Sequence, residues 1–535
     1  MNETRAAFVI GRDTLDLEGF RAVVGGRRAV VLGDEARARI AGCDLFRRRL
    51  LASDRRIYGV NTGFGRLADT VIPPADQARL QRNLVRSHAV GWGPPLDPAA
   101  ARGMVLLRAL SLAHGYSGVR VEVVEQLLWL LDSGLHPWIP SRGSVGASGD
   151  LAPLAHLALV LMGEGHLLDT GGARQEAAPV LAGLGRPGLE LQAKEGLALI
   201  NGTQLMNSLG LLAVGRALDL VGTATVAAAL SLEALEGSAQ PFGAAYHALR
   251  RHPEIADVAA GIRGLLAGSE VLAGHRGCAR VQDPYSVRCA PQVIGATLGV
   301  VRQAGKVLLR EAASVTDNPV LLPESGEVIT GGHFHGQPLA LQLDFLYQAV
   351  AELANIAERR INLLLGGNGG RLPRFLAGAP GLESGLMIAQ YLAAGLVVEN
   401  RSKAFPAAVD SVPTSDGQED HVSMGSVGAV KLEGVLERTT AVVAIELLTA
   451  ARALQFVLRG GLAARRESPT GRLAPPLDQV LAHLGGIVDL APGDRPLSDD
   501  VAAVAGWVRG GSLPPSVAAC LAPILAPILA DEAAP

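Results

Sequence analysis

The chain has 535 residues, of which 49% are hydrophobic and 19% charged, with a formal net charge of −3. That balance excludes an acidic disordered chain and a polyanion-binding protein, and the length is ample for a large core. Four cysteines, Cys43, Cys278, Cys289 and Cys520, have no CxxC spacing and exclude a disulfide framework.

The first twenty residues, MNETRAAFVIGRDTLDLEGF, carry acids where an export signal needs a basic region and then an apolar stretch, so a reduced, cytoplasmic location is expected. RAVVLG (28–33) has strand character. A glycine-rich loop, YGVNTGFG (58–65), presents Tyr58, and NLVRSHAVGWG (83–93) presents Ser87 and His88. RVEVVEQLLWLLDSG (120–134) repeats its apolar residues at the helical period. GSVGASGDLAPLAH (143–156) then places Ser148 and Asp150 among small residues, just before an apolar helical run. Taken alone, either residue reads as a helix cap with Pro153 in the first turn.

The residues from 197 to 235, from 345 to 367 and from 430 to 460 form long helical patterns that are apolar on more than one face. Such helices are covered by other helices, so a mainly α protein with a central bundle is expected. A loop-rich N-terminal part over 1–200 and a long-helix bundle with a C-terminal helical region over 201–535 are read as parts of one body, not as independent folding units. EVITGGHF (327–334) is a short strand-like piece, and 384–398 is uncharged but too short to span a membrane. Residues 510–530 are also uncharged but are broken by Pro514, Pro515, Pro523 and Pro527.

His333 and His335 in GGHFHG lack partners at metal-ligand spacing, so no metal is expected. GASGD is not GxSxG, and no phosphate-binding glycine motif is present. What remains suits one small zwitterionic substrate. Tyr58, His88, Asn201 in INGTQ, Tyr285 and Arg288 in QDPYSVRC, and Glu419 in GQEDHVSMG supply a carboxylate clamp, amide groups and acid–base groups.

These segments, from YGVNTGFG through RPLSDDVAAVA (495–505), resemble in the same order those of the ammonia-lyases that make their own electrophile, the 4-methylideneimidazole-5-one (MIO) group. The resemblance implies a fumarase/aspartase-like helical architecture and a homotetramer whose active sites are shared between chains, with neither nucleic acid nor membrane as partner. It also implies that Ala147, Ser148 and Gly149 cyclise into the electrophile, with no external cofactor. The Gly149 nitrogen would attack the Ala147 carbonyl carbon, and two dehydrations would remove the Ser148 hydroxyl among the leaving oxygens. A glycine nitrogen is unhindered enough for that approach. Asp150 would cap the following helix and assist the cyclisation.

By the same resemblance Tyr58 is the base for the β-proton, with Glu419 as its rival, and Arg288 clamps the carboxylate. Asn201 and Tyr285 lie by the prosthetic ring and the amine, Phe334 packs on that ring, Gln282 lines the site, and His88 with Glu419 recognises an imidazole. Ser87-His88, SGLMIAQ (384–390) and QEDHVSM (418–424) point to the histidine-acting branch, which releases ammonia and trans-urocanate from L-histidine in the first step of histidine degradation. FHGQP (334–338), His333 in place of the usual Asn, a bulky Trp92 and PTSDGQED (413–420) depart from that branch. They leave a tyrosine or phenylalanine ammonia-lyase, or a 2,3-aminomutase, as the alternative.

Overall fold

The computed structural model describes residues 6–53, 55–169, 171–274, 280–458 and 471–529, and Cys278 lies outside them. Strands are few and short. β1 (Phe8–Ile10) and β2 (Val30–Leu32) pair in parallel, with Phe8 opposite Val30. Helix α1 (Gln77–His88) leads to β3 (Trp92–Pro95) and then α2 (Pro98–Ala113), which Asp97 caps by accepting the Ala99 N–H. β4 (Pro140–Arg142) returns antiparallel to β3, and α3 (Ala152–Leu161) and α4 (Glu195–Ile200) follow.

The bundle consists of α5 (Gln204–Ala234), α6 (Ala290–Ala312), α7 (Gln337–Leu365), α8 (Met387–Lys403) and α9 (Gly425–Leu458). A hairpin of β5 (Val320–Leu322) and β6 (Glu327–Ile329) lies between α6 and α7. Helix α9 packs along α7 and α5, and α6 packs against the same two. In α5 and α9 leucine, alanine and valine recur around most of the circumference and neighbouring helices cover those faces, whereas α8 leaves Ile388, Tyr391 and Val398 exposed. One contiguous apolar core runs from Phe8 to Ile528.

Charge enters the apolar packing of the bundle where three of its helices meet. Arg360 on α7 donates two hydrogen bonds to Glu446 on α9, at 2.5 and 2.8 Å, and the Ser231 hydroxyl of α5 donates to the same carboxylate at 2.7 Å. Both charged side chains are fully buried. A buried charge is tolerated only when paired and hydrogen-bonded in this way, and the pairing fixes the register of three helices.

The pattern read as one helix over 197–235 is two, α4 and α5, separated at Asn201-Gly202-Thr203. Gly202 has φ +150°, and a Cβ there would lie 2.5 Å from Gln204 Oε1 and 2.6 Å from an Arg108 guanidinium nitrogen. Only glycine fits. By length and composition α5 and α9 could each cross a membrane, but 83% and 78% of their most apolar stretches are buried within the chain, as in core helices.

Candidate active site

The loop before α3 crosses the break between α4 and α5. Gly149 and Gly202 face each other in an isolated parallel bridge, and the Asp150 N–H donates to the Gly202 carbonyl at 2.7 Å. At Gly149, φ is +71° and a Cβ would lie 2.2 Å from the Gly202 oxygen, so this contact too admits only glycine. Asp150 is completely buried but does not cap α3, whose flanking residue is Leu151. Its carboxylate instead accepts the Leu205 N–H at 2.6 Å, in the first turn of α5, and the Ser426 hydroxyl at 3.1 Å. The apolar run after Asp150 suggested the nearer helix, whereas the chain reversal brings α5 closer. Burial raises the Asp150 carboxyl to about 7, against the lowering effect of those hydrogen bonds.

A cleft of about 940 Å³ opens beside this loop, and Tyr58, His88, Ala147, Ser148, Asn201, Phe334 and Glu419 all line it. Asn61 shapes the Tyr58 loop by accepting the Ile57 N–H and donating to the Arg55 carbonyl, and Thr62 pairs with Val71 to close it. The Tyr58 oxygen accepts the Gly65 N–H at 3.1 Å, which fixes its position. Glu419 stands in a tight hairpin in which Thr414 and Glu419 pair. One carboxylate oxygen accepts the Ser148 hydroxyl at 3.0 Å and the other the Thr414 hydroxyl at 2.7 Å. His88, in the last turn of α1, has Nδ1 2.9 Å from the Leu84 carbonyl.

Asn201 ends α4 with its amide oriented by a buried relay. Its Nδ2 donates to the Asn318 carbonyl at 3.0 Å, the Asn318 N–H donates to Asp317, and Asp317 accepts Lys194 Nζ at 2.6 Å. Lys194 and Asp317 are both fully buried, and burial lowers the Lys194 pKa. Arg108, also fully buried, donates to the Asn201 carbonyl at 2.6 Å and is lowered to about 10 by burial. Asn201 Oδ1 is buried and has no hydrogen-bond partner among the described residues. A buried acceptor without a partner is costly unless something else supplies a donor.

Three sequence-predicted residues lie elsewhere on the chain. Gln282 lines a separate pocket with Ser238, Ser269 and Arg280. Tyr285 is 71% exposed, with the Arg288 guanidinium 4.6 Å above its ring, and Arg288 Nε donates to the Asp283 carbonyl. Trp92 does not narrow the cleft. It is 75% exposed and stacks with Arg142 at 5.6 Å. His333 is exposed and absent from the cleft wall, whereas His335 lines it and stacks on His421 at 5.6 Å. Sequence reading missed Arg108, Lys194 and Asp317. The available signal was a lone arginine inside the apolar run GMVLLRALSLA (103–113), since a charge there must find buried partners.

A sequence profile of the family described as aromatic amino acid lyase matches residues 15–474. A histidine ammonia-lyase from Deinococcus radiodurans is 53% identical over 455 residues, 85% of this chain and 86% of that protein. Another, from Anaeromyxobacter dehalogenans, is 48% identical over 94% of this chain and 98% of its own length. Among solved structures, histidine ammonia-lyase from Trypanosoma cruzi superposes with a TM-score of 0.85 at 37% identity, covering 98% of this chain and 96% of that one. Tyrosine aminomutase from Streptomyces globisporus gives 0.87 at 37% identity, covering 95% and 97%. The profile match, the long-range identity and the shared bundle together place this chain in the aromatic amino acid lyase family.

Proposed function

We propose that the protein is a carbon–nitrogen lyase, a histidine ammonia-lyase that eliminates ammonia from L-histidine to give trans-urocanate. The observation that carries this reading is the cleft itself. Glu419 and His88, the pair suited to an imidazole, stand in the same wall as Ser148, Tyr58 and Asn201, and relatives of that name are 44–53% identical.

The Ala147-Ser148-Gly149 segment fits conversion to MIO. Its glycine sits in a cradle that a Cβ would fill, and Ser148 points into the cleft with its hydroxyl on Glu419. The group supplies an electron-poor alkene against which a poor amine leaving group is activated, a chemistry that ordinary side chains lack. Around it, Asn201 would present its amide to the substrate amine, Phe334 would pack on the ring, and Glu419 with His88 would hold the imidazole. Tyr58 takes the β-proton, with Glu419 in reach of the same region as the rival base.

Arg288 and Tyr285 complete the site from another copy of the chain, with Gln282 beside them, because one chain keeps them apart from its own cleft. A homotetramer with shared sites satisfies that requirement and covers the exposed apolar side chains of α8, Ile388, Tyr391 and Val398. We read the assembly as soluble and cytoplasmic.

Incubation of the purified protein with L-histidine, L-tyrosine and L-phenylalanine separately, following ammonia and the ultraviolet absorbance of the unsaturated acid, tests the substrate. Turnover of histidine alone is expected. Turnover of an aromatic amino acid, or formation of a β-amino acid, would move the chain to the alternative that the FHGQP segment favours.

A further inference from the structure

Gln81 belongs to no motif singled out above, and it is completely buried. It sits on α1, seven residues before His88 and so on nearly the same face. Its amide is used at both ends. Nε2 donates to the Gly59 carbonyl at 3.1 Å, next to Tyr58, and Oε1 accepts the Leu197 N–H at 3.0 Å. Leu197 lies in the first turn of α4, whose N–H groups have no partner within the helix, and Asn201 follows directly at the other end of that helix.

The backbone packing around this amide leaves little room for slippage. A Cβ at Gly196 would lie 2.7 Å from the Gln81 main-chain oxygen, so α1 and α4 touch backbone to backbone. A Cβ at Gly59 would lie 2.4 Å from a Leu197 methyl carbon, so the Tyr58 loop rests on α4 as well. One amide thus joins the loop of Tyr58, the helix that ends at Asn201 and the helix that carries His88.

We propose that Gln81 is a positioning residue for proton transfer, holding the Tyr58 hydroxyl in register with Asn201 and His88. The proposal rests on the reading of Tyr58 as the base. A donor lost from Gly59 frees the loop on the side of Tyr58, whereas the imidazole-binding pair is held by other contacts. The loss therefore falls on kcat rather than KM.

The test compares the full-length parent with Gln81→Met, Tyr58→Phe, the double variant and Gln81→Glu, using L-histidine. The mass of the fragment holding residues 147–149, lighter by two waters when cyclised, reports formation of the electrophile independently of turnover. Gln81→Met is expected to keep that mass, to lower kcat about ten- to a hundredfold and to change KM by less than about twofold. In the Tyr58→Phe background the same substitution should cost less than about twofold. An equal loss in both backgrounds would show that Gln81 acts elsewhere and overturn the proposal. Full activity of Tyr58→Phe alone would overturn the base assignment, which this arm separates from the first. Gln81→Glu adds a check that does not depend on tolerating methionine. As a neutral acid it can still donate to Gly59, and as a carboxylate it cannot, so its activity relative to the parent should rise on acidification. A ratio independent of pH would contradict the role of that donor.

Discussion

Glu233, in the C-terminal part of α5, shows how burial alone can set the behaviour of one residue. One carboxylate oxygen accepts the Ser269 hydroxyl at 2.5 Å and the Ala474 N–H at 3.0 Å, while the other is buried with no hydrogen-bond partner among the described residues. Burial pushes its pKa up to about 7, against the effect of those hydrogen bonds. A raised carboxyl binds its proton more tightly folded than unfolded, so stability falls as pH rises from the ordinary carboxylate range to about 7 and is then constant. Glutamine at this position keeps an acceptor for both donors and cannot ionise. Urea unfolding at fixed protein concentration should therefore show Glu233→Gln gaining on the parent between pH 5 and pH 8, on the order of 1 kcal/mol. An unchanged difference at the two pH values would mean that the carboxyl is not held protonated by its surroundings.

At the scale of elements, the Arg360–Glu446–Ser231 contact ties α5, α7 and α9 where their apolar faces meet. Glu446→Ala leaves a buried guanidinium uncompensated and should cost about 3–5 kcal/mol of unfolding free energy, while replacing both charged partners by apolar residues of similar volume should cost less. Denaturant titration of the three chains measures both; a double replacement costing as much as Glu446→Ala would show that the loss does not come from an uncompensated buried charge. The long helices themselves were legible because their apolar residues repeat at the helical period over twenty residues or more. Two local features were not. The turn signal Asn201-Gly202 lies inside an apolar run that suggests continuity, and Asp150 immediately precedes one helix but serves another that begins at Gln204. Sequence offers short-range spacing, and both features depend on a chain reversal that brings residue 149 against residue 202.

For the whole molecule, the same distinction explains which parts of the candidate site could be read in advance. Ser148, Tyr58, His88, Asn201 and Glu419 stand in short stretches whose residue types already suggest chemistry, and the fold gathers them in one cleft. Their supports could not be read this way. Gln81 meets Leu197 across 116 positions and Lys194 meets Asp317 across 123, and nothing local marks either pair. Arg288 and Tyr285 extend the same limit beyond one chain, since their proposed partners belong to another copy. In the proposed reaction this cleft eliminates ammonia with an electrophile made from its own backbone at Ser148. Its most direct test is the release of ammonia and urocanate from L-histidine by the parent and by Ser148→Ala at the same assembly state. Equal amounts of the two products are expected from the parent, and a loss of at least several powers of ten in the variant. A Ser148→Ala protein that turns over histidine at the parent's rate would contradict it.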